Sequence, residues 1–194
     1  MIKIKRWLTS CIALGLLVSC SQNYTPKPRG YFRIGFPEKS YRSFDSTSFP
    51  FAFDYPVYSK ITPDPERLSQ KYWINVVTPS LKATIHISYL PLSKDKLSAL
   101  LEDSHTLLYK QSVKADAIDE SRISMPERKV YGLLYDVKGN AASPVQFYLT
   151  DSLHHFLRGA LYFYTVPNQD SLAPVVAFER EDVLKLIDSF HWKK

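Results

Sequence analysis

From residue 49 the apolar positions alternate. In "FPFAFDYP" (49–56), Phe49, Phe51, Phe53 and Tyr55 fall on one face, and Ala52 and Asp54 on the other. That period of two, bounded by prolines, predicts a half-buried strand. "KYWINVV" (71–77) and "KATIHISYL" (82–90) predict two more, joined by the turn "TPSLK". The period then lengthens. Leu97, Leu100, Leu101 and Leu108 lie at helical spacing, with Ser104 and His105 filling the gap and Ser93 as N-cap, which predicts a helix over about 94–112. Strands return at about 118–125, in "VYGLLYDV" (130–137), in "PVQFYLT" (144–150) and in "FLRGALYFYT" (156–165). Gly139 and Asn140, between two of them, suit the positive φ of a turn. The last element is a helix capped by Asp170 or Ser171, with Pro174 near its start and the stripe Val183, Leu186, Ile187, Phe190. Glu179, Glu181 and Asp182 come early in it and Lys193 and Lys194 follow it, as the helix dipole prefers.

The predicted order is β-β-β-α-β-β-β-β-α. Short hairpin connections imply a mainly antiparallel sheet of about six to seven strands, covered by helices. The class is α+β, an α/β/α sandwich. This order resembles the PsbP/Mog1-like fold at the level of topology. The sandwich is expected to occupy residues 49–194 as a single domain.

The first twenty residues have a different character. Lys3, Lys5 and Arg6 precede a mostly apolar run from Trp7 to Val18, too short to span a bilayer core comfortably. The run ends in Leu17-Val18-Ser19-Cys20. Charge, apolar run, small residues and cysteine in that order form a bacterial lipobox. Residues 1–19 then leave as a signal peptide, and Cys20 carries acyl chains such as palmitate. An ordinary secretory signal with a chance cysteine is one competing reading, and an uncleaved membrane anchor, weakened by the short run and polar Thr9 and Ser10, is the other. Several acyl chains hold a protein on a membrane stably, at about 0.8 kcal/mol per buried methylene. The chain has two cysteines, and Cys11 leaves with the signal. The mature domain therefore has no disulfide, thiol nucleophile or Cys-based metal site.

The charge changes meaning once the signal is set aside. The formal net charge of the whole chain is +6. Without Lys3, Lys5 and Arg6 it is +3, of which residues 20–44 hold +4 and residues 45–194 hold −1. The domain is nearly neutral, which removes the electrostatic case for nucleic acid. The basicity sits in a tether, residues 20–48, where Pro26, Pro28 and Pro37 disfavour helix. Some 25–30 extended residues reach at most roughly 90–100 Å.

Candidate chemistry is sparse. "TDSLHHF" (150–156) supplies Asp151, Ser152, His154 and His155. A triad needs convergence in space and an oxyanion hole, whereas neighbours on a strand or turn point apart, and no G-x-S-x-G elbow occurs. A polar hairpin turn, with Asp151 and Ser152 capping backbone groups, is the simpler reading. His86 and His105 lie on different elements, His191 is expected at the surface near the chain end, and no metal-binding spacing occurs. With six glycines and no phosphate loop, a nucleotide cradle is not expected either. No catalytic residue, metal ligand or cofactor is assigned. The tether has its own chemistry: Arg29, Tyr31, Phe32 and Arg33 combine guanidinium groups with aromatic rings. Such a mixture suits protein docking. It also suits a membrane interface, and a solvated linker is the third reading.

"YTPKPRGYFRIGFPEKSY", following a lipobox cysteine, resembles the start of the mature GldD family, the gliding motility-associated lipoproteins of Bacteroidetes. "ATIHISY", "YKQSVKADAI", "VYGLLYDVKGNAASPVQFYLTDS", "HFLRGALYF" and "PNQDSLAPV" are similar to the same family, in order along the chain. The resemblance implies an envelope lipoprotein of the gliding machinery, linked to type IX secretion and anchored through Cys20. Other gliding motility lipoproteins and envelope machinery proteins are its implied partners. No enzymatic residue carries over. The expected role is a non-enzymatic scaffold or assembly factor; the alternative is an envelope hydrolase or ligand-binding module using Asp151–His155. Ser21-Gln22-Asn23 after the cysteine lacks the acidic cluster of surface-exported lipoproteins in this phylum, so a periplasm-facing position, on the outer membrane, is expected.

Overall fold

The computed structural model describes residues 33–65, 68–93, 96–111 and 113–193. The chain divides into two units, Met1–Ile34 and Gly35–Lys194. Of the first, only Arg33 and Ile34 are among the described residues, and Arg33 is exposed. Cys20, Arg29, Tyr31 and Phe32 lie outside them.

In the second unit, strands β1 (Tyr41–Phe44), β2 (Phe51–Pro56), β3 (Lys60–Pro63), β4 (Ile74–Thr78) and β5 (Ala83–Pro91) precede helix α1 (Leu97–Gln111). β6 (Ala115–Met125), β7 (Val130–Gly139), β8 (Val145–Thr150) and β9 (His155–Phe163) lead to α2 (Gln169–Ser189) and β10 (His191–Trp192). Seven strands form one sheet in the order β3-β4-β5-β9-β8-β7-β6, and β1-β2-β10 form a smaller one. Every described pairing is antiparallel. The chain is α+β, as its hydrophobic pattern predicts.

Alternation on the large sheet makes two unlike faces. Ile85 and Ile87 of β5, Leu157 and Leu161 of β9, Phe147 and Leu149 of β8 and Leu134 of β7 share the core with Phe51 and Phe53 of β2 and Val183, Leu186, Ile187 and Phe190 of α2. At Gly159, a Cβ would stand 2.2 Å from the Phe147 ring, so only glycine lets that ring lie across β9. On the opposite face Leu108 of α1 packs with Tyr135 and Val137. The layers are therefore α2 with the small sheet, the large sheet, and α1.

Several elements depart from the pattern's forecast. The folded unit starts before Phe49, because Tyr41–Phe44, expected in the tether, pairs with β2 from Tyr41↔Pro56 to Phe44↔Phe53. β2 is buried on both faces, Ala52 as fully as Phe51. β3 and β10 are too short to carry a period. His191 keeps an exposed side chain but pairs with Ala52, and Lys193 reaches Asp45 at 2.5 Å instead of capping the helix. The N-cap of α2 is Asn168, whose Oδ1 accepts from Ser171 N at 3.1 Å; the helix runs through Pro174. Gly139 has the positive φ expected, +98°.

Candidate functional site

A buried polar cluster lies where residues 36–41 cross α2. Helical spacing puts Val175, Glu179, Asp182, Val183 and Leu186 on the buried stripe of α2, so two carboxylates enter the stripe among aliphatic neighbours. Glu179 and Asp182 are each 1% exposed, and Glu181 on the next face stays in solvent. The expected dipole role of Glu179 and Asp182 is thus corrected: a one-residue difference in helical phase separates a surface acid from a buried one.

A buried carboxylate needs partners, and those of Asp182 come from far away in sequence. Lys39 Nζ donates to Oδ1 at 2.7 Å, Tyr41 Oη to Oδ1 at 2.8 Å, and Tyr58 Oη to Oδ2 at 2.6 Å. Lys39 Nζ also donates to the Phe178 carbonyl at 2.6 Å and stands 3.6 Å from the centre of the Phe178 ring. The Phe36 ring stacks on the same ring, with centroids 4.6 Å apart. Residues 36–41 are therefore a strap, held by the Lys39 cation, the Phe36 ring stacked on Phe178 and the Tyr41 phenol. Tyr41 and Tyr58 have pKa values pushed well up, by burial first and then by donation to Asp182.

Glu179 has no such set of donors. Its Oε1 makes no hydrogen bond. Burial, and then the charge of Asp182, push its pKa up to about 7; a hydrogen bond with Thr78 and the charge of Lys39 oppose them. Thr78 in turn bonds Ser59, Oγ1 to Oγ at 2.8 Å, below the surface.

The Asp151–His155 stretch is a different kind of feature. Asp151 Oδ1 accepts from the backbone N–H groups of Leu153, His154 and His155 at 3.0, 2.7 and 2.8 Å, and Oδ2 lies 3.2 Å from His154 Nδ1. Burial works against this carboxylate, and the hydrogen bonds outweigh it, holding its pKa below the usual range. Ser152 sits at φ +69° with its N–H on Thr150 Oγ1. His155 turns the other way, with Nδ1 2.8 Å from Tyr89 Oη and its ring stacked on Trp192. Burial holds the His155 pKa below the ordinary imidazole value. The carboxylate spends three of its bonds closing a turn, and the two imidazoles serve different neighbours.

Among the described residues, two hollows lie against the large sheet. One, of about 380 Å³, lies between the first half of α2 and the β7–β8 hairpin, lined by Phe163, Leu172, Val176, Ala141 and Pro144. Arg180 clamps Asp136 at its edge with bonds of 2.6 and 2.7 Å. The other, of about 430 Å³, lies under α1 among Trp73, His86, Leu100, Leu107, Arg158 and Tyr162, where Arg158 donates to Gln146 at 2.7 Å. Among the described residues, no three His, Cys, Asp or Glu side chains could together hold a metal ion. No described helix is long and apolar enough to cross a membrane.

Of the residues expected to dock, only Arg33 is described, and it is exposed. Further along the same tether, Phe36, Lys39 and Tyr41 pack on α2. Sequence reasoning missed them because Lys39 reads as one more tether cation and Asp182 as one more helix acid. The one available signal was two acids at positions 179 and 182, in phase with Val175, Val183 and Leu186.

A model of the family described as gliding motility lipoprotein GldD matches residues 21–192. A search of curated proteins returned no match. Among solved structures, the chain is similar to the solution structure of cyanobacterial PsbP (CyanoP) from Synechocystis, with a TM-score of 0.50 and 13% identity. The likeness covers 86% of this chain and 98% of that one. At that identity it shows the fold: the α+β sandwich is PsbP-like.

Proposed function

We propose a function from one premise: the chain belongs to the GldD family, the gliding motility lipoproteins. It acts as a non-enzymatic scaffold or assembly factor of the gliding machinery and of the type IX secretion linked to it. Lipid on Cys20 holds it to the envelope, at the outer membrane and facing the periplasm. Its partners are other gliding motility lipoproteins and envelope machinery proteins. Tethering converts weak contacts with them into frequent ones through effective concentration.

The observation that supports this reading is the strap. The stretch leading from the lipid is built into the fold at Phe36, Lys39 and Tyr41 rather than left as a spacer. A docked strap leaves only residues 21–35 between the lipid and the first docked side chain, Phe36. Fourteen or so extended residues reach at most roughly 50 Å. That geometry suits a part that must present one side of itself at a set distance from a membrane.

Crosslinking in cells at native expression, followed by pull-down, should recover gliding or secretion components. Recovery of the chain alone would overturn the scaffold. Replacing residues 25–41 with a Gly/Ser linker of equal length should abolish gliding or secretion, since it removes both strap and docking residues; retained activity would return the stretch to a spacer. For the alternative site, the double substitution His154→Ala, His155→Ala should leave both activities intact.

A further inference from the structure

The unexplained group in the site is Glu179. Two carboxylates, Glu179 and Asp182, are buried one helical step apart, and one ammonium, Lys39, enters the cluster. The remaining groups that face them are Tyr41 of the strap, Tyr58 of the turn between β2 and β3, Thr78 at the end of β4, and Glu181 on α2. The tyrosines and the threonine bring hydrogen bonds but no positive charge. Glu181 is in solvent, with its side chain 68% exposed, and only shares Lys39 at 3.7 Å. Lys185, one turn beyond Glu181, is committed to Asp54 at 3.5 Å. The buried cluster is neutral only with a proton on one carboxylate. Asp182 accepts three hydrogen bonds from side chains, one of them from the ammonium, and Glu179 leaves Oε1 without a donor. The proton belongs on Glu179.

We propose that the strap is a proton-operated latch. With Glu179 protonated, Lys39 neutralises Asp182 and residues 36–41 stay docked on α2. When Glu179 loses its proton, the site holds two buried carboxylates against one ammonium, and undocking the strap relieves this by admitting water to both. The raised pKa of Glu179, about 7, agrees in direction. The sign follows from linkage: docking binds the proton, so docking weakens as pH rises from the ordinary carboxylate range to about 7 and is constant above it. Release adds the strap's own residues to the stretch between the lipid and the domain and takes Phe36 and Lys39 off the Phe178 ring. That consequence for reach rests on the lipid anchor proposed above; the latch itself does not.

The test is trypsin nicking of the Lys39–Ser40 bond in the full mature chain, read by the mass of the fragment beginning at Ser40. Each rate is divided by that of a free peptide of residues 35–42, which removes the protease's own pH profile. One proton linked to docking changes the open fraction about tenfold per pH unit. The normalised rate should therefore rise about 15-fold between pH 5.5 and 7 and level off within the next unit. In Glu179→Gln it should stay low and flat. A wild-type rate that does not change with pH, or the same rise in Glu179→Gln, would overturn the latch. Should Glu179→Gln not fold, the side-chain carboxyl carbon of Glu179 in the wild-type chain decides by NMR. Titration near pH 7 supports the proposal, and titration in the ordinary carboxylate range overturns it. Fractionation that finds the chain free of membrane would instead refute the anchored scaffold and leave the latch standing.

Discussion

Asp151 and Asp182 each accept at least three hydrogen bonds, and they do opposite work. The donors to Asp151 Oδ1 are backbone amides two, three and four residues ahead, so the turn that makes the bonds is the turn the bonds make. The donors to Asp182 come from positions 39, 41 and 58, more than 120 residues away in the chain. One carboxylate is satisfied within five residues of chain. The other is satisfied only when the strap, the small sheet and α2 have met. A local cap reports on a turn, whereas a long-range cluster reports on assembly, and only the second can couple the tether to the domain.

The largest break in this comparison is Asp182→Asn, which takes from a part-buried ammonium its charged hydrogen-bond partner and leaves it only the exposed Glu181 at 3.7 Å and the donor-poor Glu179. Removing one partner of such a pair costs on the order of 3 kcal/mol, read as a lower urea midpoint. Next is Glu179→Gln, which keeps the shape of the protonated acid. It should be neutral at pH 4 and raise stability at pH 8 by roughly 1–3 kcal/mol, because the wild type must ionise or keep a costly proton there. The urea midpoint of the wild type should fall from pH 4.5 to 7, and that of the variant should stay flat through this window.

Asp151→Ala should cost about 1 kcal/mol, the usual worth of a cap that satisfies backbone donors, with no effect on strap cleavage. That independence sharpens the contrast: a loss at 151 should add to a loss at 182, since the two sites share no partner. The smallest effect belongs to Phe36→Ala. Phe36 is 40% exposed, so losing its stack on Phe178 should cost only about 0.5–1 kcal/mol. It should nonetheless speed trypsin nicking after Lys39 several-fold, because the loss is confined to the strap.

The alternating strands, the helices and the turns were legible because each is dictated within about ten residues. Ile85 and Ile87 against Thr84, His86 and Ser88 declare both a strand and its two faces. The α2 stripe of Val183, Leu186, Ile187 and Phe190 is buried as its spacing predicts. The Asp151 turn was legible for the same reason. β1, β3 and β10 were not, since four or two residues hold too little period, and their pairing with β2 or β4 is what makes them strands. Nor was the strap. Nothing near Lys39 distinguishes it from Lys27, and only contact with Asp182 does.

The sequence by itself determined the signal and lipobox pattern, the near-neutral domain behind a basic tether, the α+β order and the family. Those are properties of composition, period and collinear match, which need no folding to exist. Only the tertiary structure decided where the tether ends and the domain begins. It also decided that two acids on α2 are buried rather than solvated, and that a single lysine serves them. Burial is a property of what lies on the far side of a residue, and for Glu179 and Asp182 that neighbour is more than a hundred positions away.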